Sequence, residues 1–219
     1  MPFHWVYTYS LFLSAPTSFG KTFLLKEIIY RNYQQYQNLI IVLPTVALLM
    51  EVTEDLSHFF KQHHLSYQVH NSVYRDLELG DRNVFILTPE RVLRLLALHP
   101  DLTVDFFFYD EIYKIDEDIA AENDDDAPEK IETGNDYTGT KKSTNHRAVA
   151  FRLALYFLLK RSPSCYLAGP FIKLDALKSG FRTMLKKYGI TSFEVQFEPT
   201  LKNKIDYHTF KQKLANNDK

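Results

Sequence analysis

The chain has 219 residues, a formal net charge of −1 and a hydrophobic fraction of 45%, values that suit a folded domain and exclude an intrinsically disordered protein. No apolar run reaches the roughly 18 residues that a membrane-spanning helix needs, and the single cysteine, Cys165, excludes a disulfide within the chain. The N-terminal residues lack the pattern of a secretory signal, so we expect a cytoplasmic protein.

Alternating strand and helix patterns run along most of the chain. Apolar stretches bounded by polar turns predict strands at Tyr9–Leu13, Leu39–Leu43, Val84–Leu87, Phe106–Tyr109, Tyr166–Ala168 and Phe193–Phe197. Helical spacing predicts helices at Thr22–Tyr30, Val46–Phe60, Glu90–Leu98, Arg147–Lys160 and Asp175–Tyr188. This order favours an α/β fold with a mostly parallel sheet and helices on both faces. We expect one domain over residues 1–198, followed at 199–219 by a polar tail or the start of a linker to a second domain.

An acidic stretch interrupts this pattern. Residues 116–136 hold ten acids and one base, so they carry a charge of −9 and leave +8 for the rest of the chain. Residues 117–144 are polar and lack apolar periodicity, which predicts a mobile loop inserted at the edge of the domain. A positive remainder is compatible with a phosphate-rich partner, although charge alone leaves many partners open.

A phosphate-binding pattern joins the first strand to the first helix. We call the eight residues Ala15, Pro16, Thr17, Ser18, Phe19, Gly20, Lys21 and Thr22 the phosphate loop. Its backbone N–H groups would surround the phosphates of a nucleotide, with Lys21 neutralising their charge and the Thr22 hydroxyl binding Mg²⁺. Ala15 stands where glycine is more usual in this pattern. An ordinary strand–turn–helix containing the same residues is the less favoured alternative.

Two carboxylates follow the apolar strand Phe106–Tyr109. In open parallel sheets ligands bind at the carboxyl edge of the strands, where Asp110 and Glu111 should lie. There Asp110 would bind Mg²⁺ and Glu111 would polarise an attacking water molecule. A solvated acidic turn explains the pair equally well when it is taken alone. Together with the phosphate loop, the pair favours hydrolysis of a nucleoside triphosphate.

Four segments in this order resemble the motifs of superfamily 2 helicases. They are SAPTSFGKT from Ser14, LPTVALLMEV from Leu43, TPERVL from Thr88 and DEIY from Asp110. The resemblance covers residues 11–115 and implies the first RecA-like domain of a DEAD/DEAH-box-like helicase. It further implies ATP and Mg²⁺ as cofactors, and nucleic-acid backbone contacts through Pro44, Thr45, Thr88 and Arg91. More narrowly, APTSFGK, DEIYKID and LAGPFI are similar to the helicase subunit of Hachiman-type anti-phage systems.

The sequence also departs from the family pattern. Tyr113 stands where histidine or aspartate is usual, and Leu167–Pro170 replaces the expected Ser-Ala-Thr motif, so that segment is either a plain strand end or functional. The resemblance implies a second RecA-like domain or a partner subunit that supplies an arginine finger, and we expect this chain alone to hydrolyse ATP slowly or not at all. Two alternatives stay open: another P-loop phosphotransferase, and a nucleotide-binding interaction module without hydrolysis.

Overall fold

The structure is a computed structural model, and it describes residues 10–16, 20–115, 139–170, 173–174 and 177–195, with backbone only at 139–147. The predicted polar tail at 199–219 and most of the predicted acidic loop lie outside these residues. Within them, no helix is both long and apolar enough to cross a membrane.

A parallel sheet forms the centre of the domain. The strands are β1 (Ser10–Ser14), β2 (Asn38–Val42), β3 (Gln68–His70), β4 (Asn83–Leu87), β5 (Phe106–Tyr109), β6 (Cys165–Gly169) and β7 (Thr191–Glu194). They lie in the order β3-β4-β2-β5-β6-β1-β7, and every pairing between them is parallel. The α/β fold with a parallel sheet, expected from the alternating pattern, is confirmed.

Helices cover both faces of this sheet. They are α1 (Lys21–Arg31), α2 (Val46–Gln62), α3 (Pro89–Leu98), α4 (Gly139–Arg161) and α5 (Ser179–Lys187), with a 3₁₀ turn at Ile112–Ile115. Apolar side chains of α1 and α2 form one core with one face of the sheet. Those of α3, α4 and α5 form a second core with the opposite face. The central strands are therefore buried on both sides, as their continuous apolar runs predict.

Some elements differ from the sequence predictions. Strand β3 was not predicted, because three residues with one apolar side chain give no periodic signal. Helix α4 begins at Gly139, so residues 139–144 are helical although a loop was predicted there. The threonine and lysine residues of this stretch give it the polar composition of a loop, so its sequence did not predict a helix there. Helix α5 begins at Ser179 instead of Asp175.

The amino edge of the sheet is fastened by a carboxylate. Asp105 Oδ2 accepts hydrogen bonds from the backbone N–H groups of Gln37 (2.8 Å) and Asn38 (2.9 Å), which joins the starts of β2 and β5. A hydrogen bond to a charged group contributes about 1.5–3 kcal/mol when it is protected from water, and less at an exposed edge.

We expect Asp105→Ala to lower the free energy of unfolding by about 1–2 kcal/mol, since both amides lose their charged acceptor. Thermal denaturation should show this as a melting temperature that falls by roughly 2–8 °C for a chain of this size. Asp101→Ala, at an exposed position in the preceding turn, is the matched control and should change little. Equal melting temperatures for the two variants would contradict the assigned role of Asp105.

Candidate nucleotide-binding site

The described part of the phosphate loop connects β1 to α1 at the carboxyl edge of the sheet. Gly20 has φ 88°, in the left-handed region that glycine adopts without a steric penalty, and α1 begins at the next residue. Thr22 lies exposed in the first turn of that helix. Thr17, Ser18 and Phe19 lie outside the described residues. Lys21 and Thr22 therefore start a helix, as the phosphate-binding pattern predicts.

Strand β6 supports the start of the loop. The Ser14 hydroxyl donates to the carbonyl of Pro170 at 3.1 Å, and the Ala15 N–H donates to the carbonyl of Gly169 at 3.3 Å. These two carbonyls belong to the segment that replaces the Ser-Ala-Thr motif. The segment thus ends a strand and also fixes the position where the phosphate loop leaves β1. Sequence reasoning missed this contact because backbone carbonyls carry no residue signature.

Lys21 is turned back onto its own loop. Its Nζ donates to the carbonyls of Ala15 and Pro16, both at 3.1 Å. Burial lowers the pKa of this ammonium group, while the negative charges of Asp110 and Glu111 act in the opposite direction. The predicted lysine and the predicted acidic pair therefore lie near enough for the charges of the two carboxylates to affect the pKa of the lysine.

Asp110 sits directly after β5 and is held by the backbone. Its N–H donates to the carbonyl of Val42 at 3.0 Å, and its Oδ1 accepts from the N–H of Glu111 at 2.9 Å. Burial raises the pKa of the Asp110 carboxyl, although that amide and the Lys21 charge act to lower it. A carboxylate whose burial is only partly compensated favours a cation beside it.

Glu111 occupies an unusual backbone conformation and has a charged neighbour. Its φ of 51° lies in the left-handed region, which costs a residue with a Cβ about 1–3 kcal/mol. Its Oε2 is buried and forms an ion pair with Lys114, which lies three residues later in the 3₁₀ turn. The sequence analysis did not single out Lys114, although its spacing from Glu111 suits such a pair.

The sheet order explains why the phosphate loop and the acidic pair lie near each other. Strands β1 and β5 flank β6, so the phosphate loop and the acidic pair are separated by one strand, or about 10 Å across the sheet. A carboxylate and a hydroxyl are oxygen donors of the kind Mg²⁺ prefers, and Asp110 and Thr22 lie on the two sides of this gap. These residues therefore fit a magnesium-bound nucleotide.

The four residues expected to contact nucleic acid also lie at the carboxyl edge. Pro44 and Thr45 follow β2, while Thr88 follows β4 and Arg91 lies in the first turn of α3. Pro44 and Thr88 are buried, and the Thr45 hydroxyl accepts from Leu48 N–H as the N-cap of α2. Arg91 is half-buried, and its Nη1 donates to the carbonyl of Asn71 at 2.8 Å. Their contacts with nucleic acid stay a prediction.

The sheet order and the helices on both faces define a RecA-like α/β domain. The chain belongs to the DEAD/DEAH box helicase family, because the model of that family matches residues 4–132, more than half of its length. The family expected from the four sequence motifs is thus confirmed.

Solved structures agree on the fold. A DEAD box protein from Methanococcus jannaschii is 16% identical with a TM-score of 0.53, and the match covers 86% of this chain and 46% of that one. A hypothetical ATP-dependent RNA helicase from Sulfolobus tokodaii is 15% identical with a TM-score of 0.50, covering 84% and 48% of the two chains. At these identities the likeness concerns the fold alone.

A relative in Escherichia coli K12, anti-bacteriophage protein B, is 30% identical over 165 residues. The match covers 73% of this chain and 18% of that protein. The chain therefore spans about a fifth of the length of this curated relative and just under half of the two solved structures.

Proposed function

We propose that this chain is the first motor domain of a superfamily 2 helicase or translocase, which binds Mg²⁺ and ATP and moves along nucleic acid when a second RecA-like domain completes it. The observation that carries the proposal is the position of Lys21, Asp110 and Glu111 at one edge of the parallel sheet, where burial lowers the pKa of the lysine and the two negative charges act to raise it. Family membership and the order of the motifs support it.

Each residue has a defined part in this proposal. Lys21 leaves the carbonyls of Ala15 and Pro16 and neutralises phosphate charge, while the N–H groups at the start of α1 bind phosphate oxygens. Asp110 and Thr22 would hold Mg²⁺, which would supply positive charge to offset the negative charge that develops during phosphoryl transfer. Glu111 orients the attacking water and accepts its proton.

The second expected ligand is single-stranded nucleic acid, bound through its backbone and without base specificity. Arg91 is the charged member of the predicted contact set. A guanidinium group has five N–H donors, so Arg91 retains donors for a phosphate beyond the one it gives to Asn71.

We expect Arg91→Ala to weaken binding of single-stranded DNA or RNA and to make that binding less sensitive to salt. Each phosphate neutralised on a single strand contributes about −0.7 to the slope of log K against log salt concentration, so the slope should become shallower by about that amount. Fluorescence anisotropy of a labelled oligothymidylate and of an oligouridylate, at 50 to 200 mM salt, measures both effects.

Arg94→Ala is the matched control for this experiment. Arg94 is exposed on the same helix, three residues further along, and its loss should leave the salt slope unchanged. Absence of any affinity for either oligonucleotide, together with nucleotide turnover that ignores them, would contradict the helicase proposal in favour of another P-loop phosphotransferase. Nucleotide binding without any hydrolysis, even when a second RecA-like domain is supplied, would instead support an interaction module.

The biological setting follows from the relative in Escherichia coli. Its name, anti-bacteriophage protein B, supports a part for this chain in defence against phage. The narrower similarity to Hachiman-type helicase subunits is compatible with that setting. A plaque assay with a strain that carries the intact gene or its Lys21→Ala variant tests it, and equal plaque counts would contradict it.

A further inference from the structure

Tyr166, in β6, has a buried hydroxyl that packing does not explain. The residue has no solvent exposure, and its hydroxyl makes no hydrogen bond within the part of the chain that the structure describes. Two other buried tyrosines differ in this respect. The Tyr109 hydroxyl donates to the carbonyl of Phe151 at 2.9 Å, and the Tyr67 hydroxyl donates to the carbonyl of Tyr36 at 2.8 Å.

An unsatisfied buried hydroxyl has an energetic cost. Leaving a buried donor without a partner costs about 1–3 kcal/mol, whereas phenylalanine would fill the same space without that cost. The ring already packs against Phe108 with 4.9 Å between centroids, a contact that phenylalanine would keep. The contacts in the described structure therefore account for the ring of Tyr166 but not for its hydroxyl.

The sheet register places Tyr166 close to the acidic pair. Tyr166 is paired with Phe108 of β5, and both belong to the core on the α1 side of the sheet. Asp110 is two residues beyond Phe108, on the same face and about 6.6 Å nearer the carboxyl edge. Side chains in strands lean along the strand direction, and a tyrosine side chain is long enough to reach from one of these levels to the next.

Small residues share this face of the sheet with Tyr166. Ala168 is the next residue of β6 on the same face, and Ala15 also lines this core; neither has solvent exposure. Burial raises the pKa of the Tyr166 phenol, and the charge that adds to this effect is that of Asp110. The Asp110 carboxylate is therefore near enough to act on the hydroxyl.

We propose that Tyr166 is a positioning residue for Asp110: its hydroxyl donates a hydrogen bond, through one water molecule, to the carboxylate when Asp110 binds the Mg²⁺ of the nucleotide. The proposal rests on the function proposed above. One carboxylate oxygen, Oδ1, is already oriented by the Glu111 N–H. A second hydrogen bond, from the Tyr166 hydroxyl through the water molecule, would fix the plane of the carboxylate. Groups that orient a metal ligand commonly affect metal affinity about 10- to 100-fold.

The test compares Tyr166→Phe with Tyr109→Phe. Tyr109 lies on a strand adjacent to β6, and its hydroxyl bonds on the opposite face of the sheet, so its loss removes a buried hydrogen bond away from Asp110. Binding of a fluorescent ATP analogue is measured during a Mg²⁺ titration and again in EDTA. Thermal denaturation of each unliganded protein provides a readout that does not depend on nucleotide.

For Tyr166→Phe we expect an unchanged or higher melting temperature, unchanged analogue binding in EDTA, and about a tenfold higher Mg²⁺ concentration at half-maximal binding. For Tyr109→Phe we expect a lower melting temperature and the wild-type Mg²⁺ dependence. A lower melting temperature for Tyr166→Phe with a wild-type Mg²⁺ dependence would assign its hydroxyl a structural role and overturn the proposal.

The two proposals fail in distinguishable ways. If the wild-type chain binds the analogue with a clear Mg²⁺ dependence and Tyr166→Phe matches it, only the role of Tyr166 is wrong. If the wild-type chain shows no binding with or without Mg²⁺, the nucleotide site and the role of Tyr166 are both wrong.

Discussion

Lys21→Ala is expected to reduce the affinity for Mg·ATP by about ten- to a hundredfold, because each hydrogen bond to a charged group contributes about 1.5–3 kcal/mol and a tenfold change corresponds to 1.4 kcal/mol. The loss is compounded by electrostatics. Without the ammonium group, the negative charges of Asp110 and Glu111 face the phosphates with less compensation. Titration of the purified chain with a fluorescent ATP analogue and Mg²⁺ measures the effect directly.

Lys26→Ala provides the matched control for that titration. Lys26 lies one turn further along α1, and its Nζ pairs with Asp55 of α2 at 2.6 Å, away from the phosphate loop. Loss of this partly exposed pair should cost at most about 1 kcal/mol of stability and leave nucleotide affinity unchanged. Equally weak binding by wild type and Lys21→Ala would mean that the loop does not bind phosphate. That outcome would favour a degenerate domain that serves protein interaction and is not an enzyme.

The fold was largely predictable because the apolar composition of the central strands indicates that they are buried on both faces of a sheet. Strands β2, β4 and β5 are runs of large apolar residues, and only a sheet covered on both faces buries such runs completely. The phosphate loop and the acidic pair were predictable for another reason. Their chemistry requires particular residue types where a strand ends, which leaves a pattern that one sequence can reveal.

Other features depend on neighbours that are distant in the sequence. Strand β3 is an edge strand of three residues that forms because β4 offers it a partner, so its own composition carries little information. The support of Ala15 by the Gly169 carbonyl joins residues more than 150 positions apart. The proximity of Tyr166 to Asp110 likewise follows from the register of β5 and β6, which no local pattern encodes.

The backbone of Glu111 illustrates the same limit within a motif that was recognised. Sequence reasoning identified the residue, yet its left-handed conformation and its ion pair with Lys114 emerged from the turn that follows β5. In this structure the ammonium group of Lys114 neutralises the carboxylate that is expected to activate water. We therefore expect Glu111 to exchange Lys114 for a water molecule as the proposed reaction begins.

Glu111→Gln is expected to retain Mg·ATP binding and to lower hydrolysis by about 10²–10⁴-fold, the usual contribution of a general base. The amide keeps the shape of the side chain but accepts a proton poorly. Single-turnover hydrolysis of radiolabelled ATP, with protein in excess and single-stranded DNA or RNA present, detects even a slow rate. The analogue titration on the same variant separates catalysis from binding.

Two further variants make this result specific. Glu51→Gln, at an exposed position of α2, should hydrolyse ATP at the wild-type rate. Lys114→Met removes the neutralising partner and leaves Glu111 intact, so its hydrolysis should equal or exceed that of the wild type. Retained hydrolysis in Glu111→Gln would remove Glu111 from the role of base, and the water would then have to be oriented by another group. Reduced hydrolysis in both Glu111→Gln and Lys114→Met would instead mean that the ion pair itself is part of the active arrangement.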